Sequence, residues 1–153
     1  MKITNSEMEQ RIFRVQVLFK ELGLEISQPE KSGGTWSCRI RDNQGFHALA
    51  AIDIDQLFLE LGVSFRFSNR EMDLLRNKID LLMGICYRFG CYHTITINDQ
   101  EILISLFSKL YFSGLQYYAL EETCADLKSA LVEVQHLFGL AGNAVQGDAD
   151  GYP

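Results

Sequence analysis

The residues best suited to covalent chemistry are few. The chain carries three histidines, His47, His93 and His136, and four cysteines, Cys38, Cys86, Cys91 and Cys124. Cys91 and His93 stand two apart in an alternating run, so both project from one face of a strand. A thiolate–imidazole nucleophile pair needs that arrangement. No flanking motif or oxyanion loop accompanies them, so they read as ordinary strand residues. Cys86 and Cys91 could pair, but nothing in the spacing requires it. No two histidines have ligand spacing, and the two cysteines stand apart from other ligand types, which argues against zinc. His47 reads as a polar strand residue, His93 as a core or edge imidazole, and His136 as a cation suited to a helix C-terminus.

The carboxylates fare no better as catalysts. Asp53 and Asp55 flank a turn, where Asp is turn chemistry. Glu121 and Glu122 fall early in a helix, where acids meet the positive end of the dipole. Neither pair has the buried setting of a general acid and base. Asp53-Ile54-Asp55 lacks the glycine and terminal glutamate of a calcium loop. Gly33-Gly34 is not followed by a helix, which makes it a poor phosphate cradle. The expectation is no catalytic residue, no metal and no cofactor.

The elements that position these residues follow from periodicity. Met8, Ile12, Val15, Phe19 and Leu22 recur at steps of three or four, and predict a helix over 6–22 with Ser6 and Glu9 as its capping box. Residues 28–34, with Pro29, Gly33 and Gly34, read as a loop. Three strands follow over 36–41, 46–52 and 57–67. The last alternates Leu57, Leu59, Leu61, Val63, Phe65 and Phe67 without a break. Ser68 with Glu71 opens a second helix whose stripe is Met72, Leu75, Ile79, Leu82 and Cys86, and Gly90 ends it. Two strands surround Asn98-Asp99, and a third helix runs over 115–138. The expected fold is α+β, an antiparallel sheet with helices in the order α-βββ-α-ββ-α. Residues 1–139 form a single domain, and 140–153 a flexible tail rich in Gly, Ala and Asp. The two stretches Gln56–Leu61 and Glu101–Leu106 echo one another, each following an acidic turn and leading through a strand to a helix.

Composition excludes several classes. With 153 residues, 47% of them hydrophobic, the chain needs no disulfide or metal staple. The net charge of −6 and scattered Lys and Arg argue against nucleic acid. No run approaches a membrane span, and no apolar leader precedes the first helix. Together with thiols on apolar stripes, where a reduced state is usual, these features point to the cytoplasm. The aromatics remain. Phe58 and Phe107 fall on strand faces opposite the Leu-rich stripes, and Tyr111, Tyr117 and Tyr118 lie near the second strand–helix junction. They are either the second side of a two-sided core or an apolar patch for a partner chain.

The order of elements, with Leu22-Gly23 closing the first helix, Leu74-Leu75 and Ile79-Asp80 in the central one, the Asn98-Asp99 turn and a long closing helix, resembles the type III secretion chaperone-like fold, which includes the YbjN-type proteins. The resemblance covers residues 6–138. It implies a homodimer without catalytic activity that binds a partner polypeptide, as a chaperone or a regulator. The candidate contacts come from the apolar-patch reading of the aromatics, Phe58, Phe107, Tyr111, Tyr117 and Tyr118, and not from the family. The competing expectation is a small-molecule sensor or enzyme with a closed pocket between sheet and helix, lined by groups such as His47, His93 or Tyr92.

Overall fold

The computed structural model describes residues 3–139; the predicted flexible tail lies outside the described residues. The elements run α1 (Asn5–Glu21), β1 (Glu25–Ser32), β2 (Thr35–Arg41), β3 (His47–Asp53), β4 (Phe58–Ser68), α2 (Met72–Arg88), β5 (Tyr92–Ile97), β6 (Glu101–Tyr111) and α3 (Tyr117–Leu137). One antiparallel sheet orders the strands β1-β2-β3-β4-β6-β5. The fold is thus α+β as expected, with one strand more than the sequence reading supplied.

That strand is β1. Residues 25–27, given no element, and 28–32, read as loop, pair with β2 from Glu25↔Arg41 to Ser32↔Thr35, with a break in register between Ser27 and Glu30. Gly33 and Gly34 (φ 59° and 85°) make a two-residue hairpin turn with both central residues left-handed, the turn whose twist matches its flanking strands. Gly34 is doubly constrained. A Cβ there would sit 2.9 Å from Ile54 Cγ2, and the Gly34 carbonyl accepts a 2.9 Å hydrogen bond from the Ile54 N–H.

Helix starts also differ from expectation. Thr4, not Ser6, caps α1: its hydroxyl accepts from the Glu7 N–H at 3.2 Å, and Glu7 Oε2 accepts from the Thr4 N–H at 2.7 Å. Those bonds to the ionised form, largest among them the one from the backbone, hold the Glu7 carboxyl below its usual range. Ser68 caps a single 3₁₀ turn (Asn69–Glu71), and α2 begins only at Met72.

The chain divides into two compact units. Among the described residues, the first comprises 3–61 and 109–124. Its core is Met8, Ile12, Val15 and Phe19 of α1, with Trp36, Cys38, Ile40, Ala48, Ala50 and Ile52 from alternate positions of β2 and β3. Arg14 of α1 donates to the carbonyls of Phe112 (3.3 Å) and Leu115, and the Arg11 guanidinium lies 4.4 Å over the Phe112 ring. These bonds satisfy the carbonyls of the 3₁₀ turn that leads from β6 to α3.

Among the described residues, the second unit comprises 62–108 and 125–139. Val63 and Phe65 of β4, Ile102, Ile104 and Leu106 of β6, Leu82 and Ile85 of α2, and Leu127, Leu131 and Val134 of α3 form its core. On the opposite face of β4 and β6, buried Ser64 and Ser105 share a hydrogen bond of 2.9 Å. Lys78 of α2 donates to the Leu137 carbonyl at 2.6 Å, closing an open end of α3.

The sequence echo extends further than its hexapeptides. β4 and β6 are both eleven residues long, carry burial patterns that differ at a single position, and each lead through one 3₁₀ turn into a helix.

Gly34→Ala should cost about 1–3 kcal/mol of stability, from the left-handed backbone and the Ile54 contact together; urea unfolding of the variant measures it. Ser64→Ala, which orphans the Ser105 hydroxyl, should cost about 1–3 kcal/mol, and the Ser64→Ala/Ser105→Ala double variant much less. The same unfolding experiment, run as a double-mutant cycle, compares them.

Candidate functional site

α2 ends in a Schellman closure. Gly90 is left-handed (φ 65°), the Cys91 N–H bonds back to the Cys86 carbonyl at 3.0 Å, and the Gly90 N–H bonds to the Tyr87 carbonyl at 3.4 Å. This motif normally brings two apolar side chains together, one from the last turn of the helix and one just past the left-handed residue. Here both are cysteines. The backbone closure sets positions 86 and 91 side by side, and His93 follows two residues after Cys91, on the same face of the alternating run. All four cysteines are free and buried, Cys86 at 4% exposure and Cys91 at 9%.

The electrostatics differentiate the two thiols. Cys86 is drawn well below the ordinary thiol range, first because Cys91 donates to it, then because His93 donates and adds its field. Cys91 is pushed up, first by its bond to Cys86, then by burial and by the charges of Cys86 and Asp126. Of the two, Cys86 is the thiol whose ionisation is favoured and Cys91 the one whose ionisation is opposed. Burial alone pushes Cys38 up to about 12. Among the described residues no group of three or more His, Cys, Asp and Glu side chains is placed to hold a metal ion.

The carboxylates do turn work. Asp53 Oδ1 accepts from the Asp55 N–H at 2.8 Å, and its Oδ2 from the Thr35 hydroxyl at 2.9 Å. Asp42 Oδ1 accepts from the N–H groups of Gln44 and Phe46, both at 2.9 Å, across the β2–β3 hairpin.

The aromatic candidates separate. Phe58 and Tyr111 meet edge to face at 5.6 Å, with Lys109 Nζ 4.6 Å over the Phe58 ring. Tyr117 and Tyr118 form a second edge-to-face pair at 5.4 Å. Tyr111 and Tyr118 are exposed (54% and 73%), as is Phe13 of α1 (69%), all in the first unit. Partial desolvation, aided by Glu121, raises the Tyr117 hydroxyl. Phe107 is in the second unit, buried at 4% and stacked on Tyr92 at 5.1 Å.

The sheet's two edges are unlike. β1 is broken by the register shift, carries Pro29 and a left-handed Gln28 (φ 50°), and displays Glu25, Glu30 and Lys31. β5 has no charged residue, proline or bulge, and its pairing with β6 runs unbroken from Tyr92↔Phe107 to Ile97↔Ile102. The Asn98 N–H bonds to the Glu101 carbonyl at 3.1 Å, and bonding in an antiparallel ladder alternates by two. Thr96, Thr94 and Tyr92 therefore bond inward to β6, and the backbone groups of His93, Ile95 and Ile97 point outward.

α2 packs against β5. Its Leu81, Ile85 and Arg88 flank faces α3, where Arg88 pairs with Glu133 at 2.8 Å. These residues with Glu133, His136 and Leu137 line an open trough. On the other flank Met83 and Tyr87 are 53% and 91% exposed. A second hollow, of about 220 Å³, is lined by Phe67, Ser68, Glu71, Leu74, Phe138 and Gly139. Neither concavity is lined by His47, His93 or Tyr92, and the hollow is smaller than the roughly 300–1,000 Å³ of ordinary ligand sites.

No family model matches the chain, and no curated protein does. Its fold is similar to the crystal structure of an uncharacterized protein from Methanothermobacter thermautotrophicus, with a TM-score of 0.66 at 10% identity, covering 83% of this chain and 95% of that one.

His93→Gln should raise the Cys86 pKa, since it removes the imidazole that favours the thiolate. Ultraviolet thiolate absorbance, followed against pH in the folded protein, should then begin its rise at higher pH than in the parent.

Proposed function

We propose that the protein is a non-catalytic, polypeptide-binding homodimer that joins through β5. The observation that carries this reading is the contrast between a guarded edge at β1 and a bare one at β5. Unpaired strand edges are templates for another chain, and proteins blunt them with proline, charge and bulges. β1 has all three, whereas β5 presents an uncharged, β-branched run.

A second copy suits that edge. A two-fold axis normal to the sheet keeps side chains on their own faces, so facing residues share parity. Centred on Ile95, it sets Ile95 against Ile95, His93 against Ile97 and Thr94 against Thr96, and opposes no like charges. Cross-strand Thr–Thr and β-branched pairs each contribute about 0.2–1 kcal/mol. A six-residue strand alone falls short of the ~1,000 Å² a stable interface needs. Exposed Met83 and Tyr87 on the flank of α2 away from α3 offer further apolar area.

The partner polypeptide is assigned to the first unit's aromatic surface, where Tyr111 and Phe58 with Lys109 combine apolar area and a cation, and Tyr118 stands exposed. Tyrosine rings give contact area at low entropic cost. The resemblance to secretion chaperones and YbjN-type proteins supports the same class of activity, chaperone-like or regulatory. The four free thiols suit the cytoplasm, and no helix among the described residues is long and apolar enough to cross a membrane.

The parent should run as a dimer in light scattering. Ile95→Lys/Ile97→Lys should run as a monomer with a near-parental circular dichroism spectrum, because Ile97 is 52% exposed. Tyr111→Ser/Tyr118→Ser should stay dimeric and lose the polypeptide that co-purifies with the parent. A monomeric parent, or a lysine variant that still dimerises, would remove the β5 assignment.

A further inference from the structure

The geometry points to Cys86 and Cys91 as a hydroperoxide-reactive dithiol, a modification site that closes to a disulfide and is reopened by a dithiol reductant. The inference is independent of the dimer and rests on the end of α2.

Three features of this junction bear on it. The Schellman closure ties the two residues' backbones together at 3.0 Å and sets their side chains on one side of the helix end, as the motif does for the residues at these two positions, the proximity that a disulfide demands. This proximity is held by helix geometry rather than by chance packing, because Gly90 takes the left-handed conformation that turns the chain back on itself. The imidazole of His93 favours the ionised form of Cys86, which gives the pair a division of labour: an attacking sulfur and a resolving thiol. Redox-reactive cysteines characteristically combine thiolate character with a neighbouring resolving thiol. Asp126 adds its negative charge near Cys91 and so favours the protonated resolving group.

Burial sets the oxidant class. With Cys86 at 4% and Cys91 at 9% exposure, bulky disulfides such as oxidised glutathione are poor reagents, whereas hydrogen peroxide is little larger than water. The Cys86 thiolate attacks one peroxide oxygen. The S–O bond forms, the O–O bond breaks, and hydroxide leaves to be protonated to water. Cys86 is oxidised by two electrons to a sulfenic acid and the peroxide is reduced. Cys91 then attacks the Cys86 sulfur, the S–S bond forms, the S–O bond breaks, and hydroxide departs with the Cys91 proton as the second water. Thiol–disulfide exchange with a small dithiol such as dithiothreitol, which is far less bulky than oxidised glutathione, reverses the bond.

The chain provides a clean assay. Arg88 lies between the two cysteines, so trypsin separates residues 79–88 from 89–109, and each fragment holds one cysteine. Folded, reduced protein is treated with hydrogen peroxide, blocked and digested without reductant. The expected product is fragments 79–88 and 89–109 joined by a disulfide, released by dithiothreitol, with Cys38 still a thiol. His93→Gln should slow its formation about tenfold. Cys91→Ser should stop at the sulfenic acid, trapped by a 1,3-dione probe. The inference is overturned if Cys86 and Cys91 react no faster than Cys38, or if Cys86 advances to sulfinic acid while Cys91 remains a thiol. The parent assay requires no variant, so a misfolded mutant does not decide the result.

Discussion

Strict side-chain alternation along β4 and β6 constrains nearly everything else. Leu59, Leu61, Val63 and Phe65 on one strand, and Ile102, Ile104 and Leu106 on the other, are all at 3% exposure or less. A slip of one residue would turn such a set from the core to the opposite face, at about 1.5–3 kcal/mol for each large side chain exposed. Ser64 and Ser105 reinforce the register from the other side. Their bond satisfies two buried hydroxyls only when those two residues face each other. Because the strands cannot slide, the helix that leaves each one starts from a fixed point, and the turn that ends α2 delivers β5 to a defined place on the sheet.

That constraint is also what made much of the fold legible. Period-two alternation from Leu57 to Phe67 placed β4 to within a residue, and spacing by threes and fours found the buried faces of α1 and α2. β1 escaped the same reading because an outer strand has no buried face to maintain. Its pattern is exposed almost throughout, and Pro29 and the shifted register erase what periodicity remained. Its signal was Gly33-Gly34, a two-residue hairpin turn. Thr4 and Ser6 each had a glutamate three residues on, and only the Thr4–Glu7 pair forms the reciprocal bonds that cap α1.

The thiol cluster was partly visible. Alternation put Cys91 and His93 on one face, and Gly90 marked the helix end, but the contact of Cys86 with Cys91 depends on the chain folding back through a left-handed residue. Spacing alone carries no such information. Once Gly90 is taken as the left-handed stop, positions 86 and 91 become the two that the motif brings together. The aromatics show the opposite limit. Alternation assigned Phe58 and Phe107 to the same kind of face, yet Phe107 is covered by Tyr92 and Phe58 is only partly covered beside Tyr111. Facing direction follows from parity, whereas exposure depends on which neighbour lies across the strand.

The unlike edges have a consequence for how far the sheet can extend. Joining β5 of one molecule to β1 of the next would be a head-to-tail contact, which repeats without limit and builds a fibre. Proline, the bulge and the displayed charges at β1 close that route. Growth through β5 alone ends after one step, because each molecule then turns only its guarded strand to solvent. Under the proposed pairing through β5, the asymmetry would act as a terminator, allowing one symmetric extension of the sheet and arresting polymerisation there.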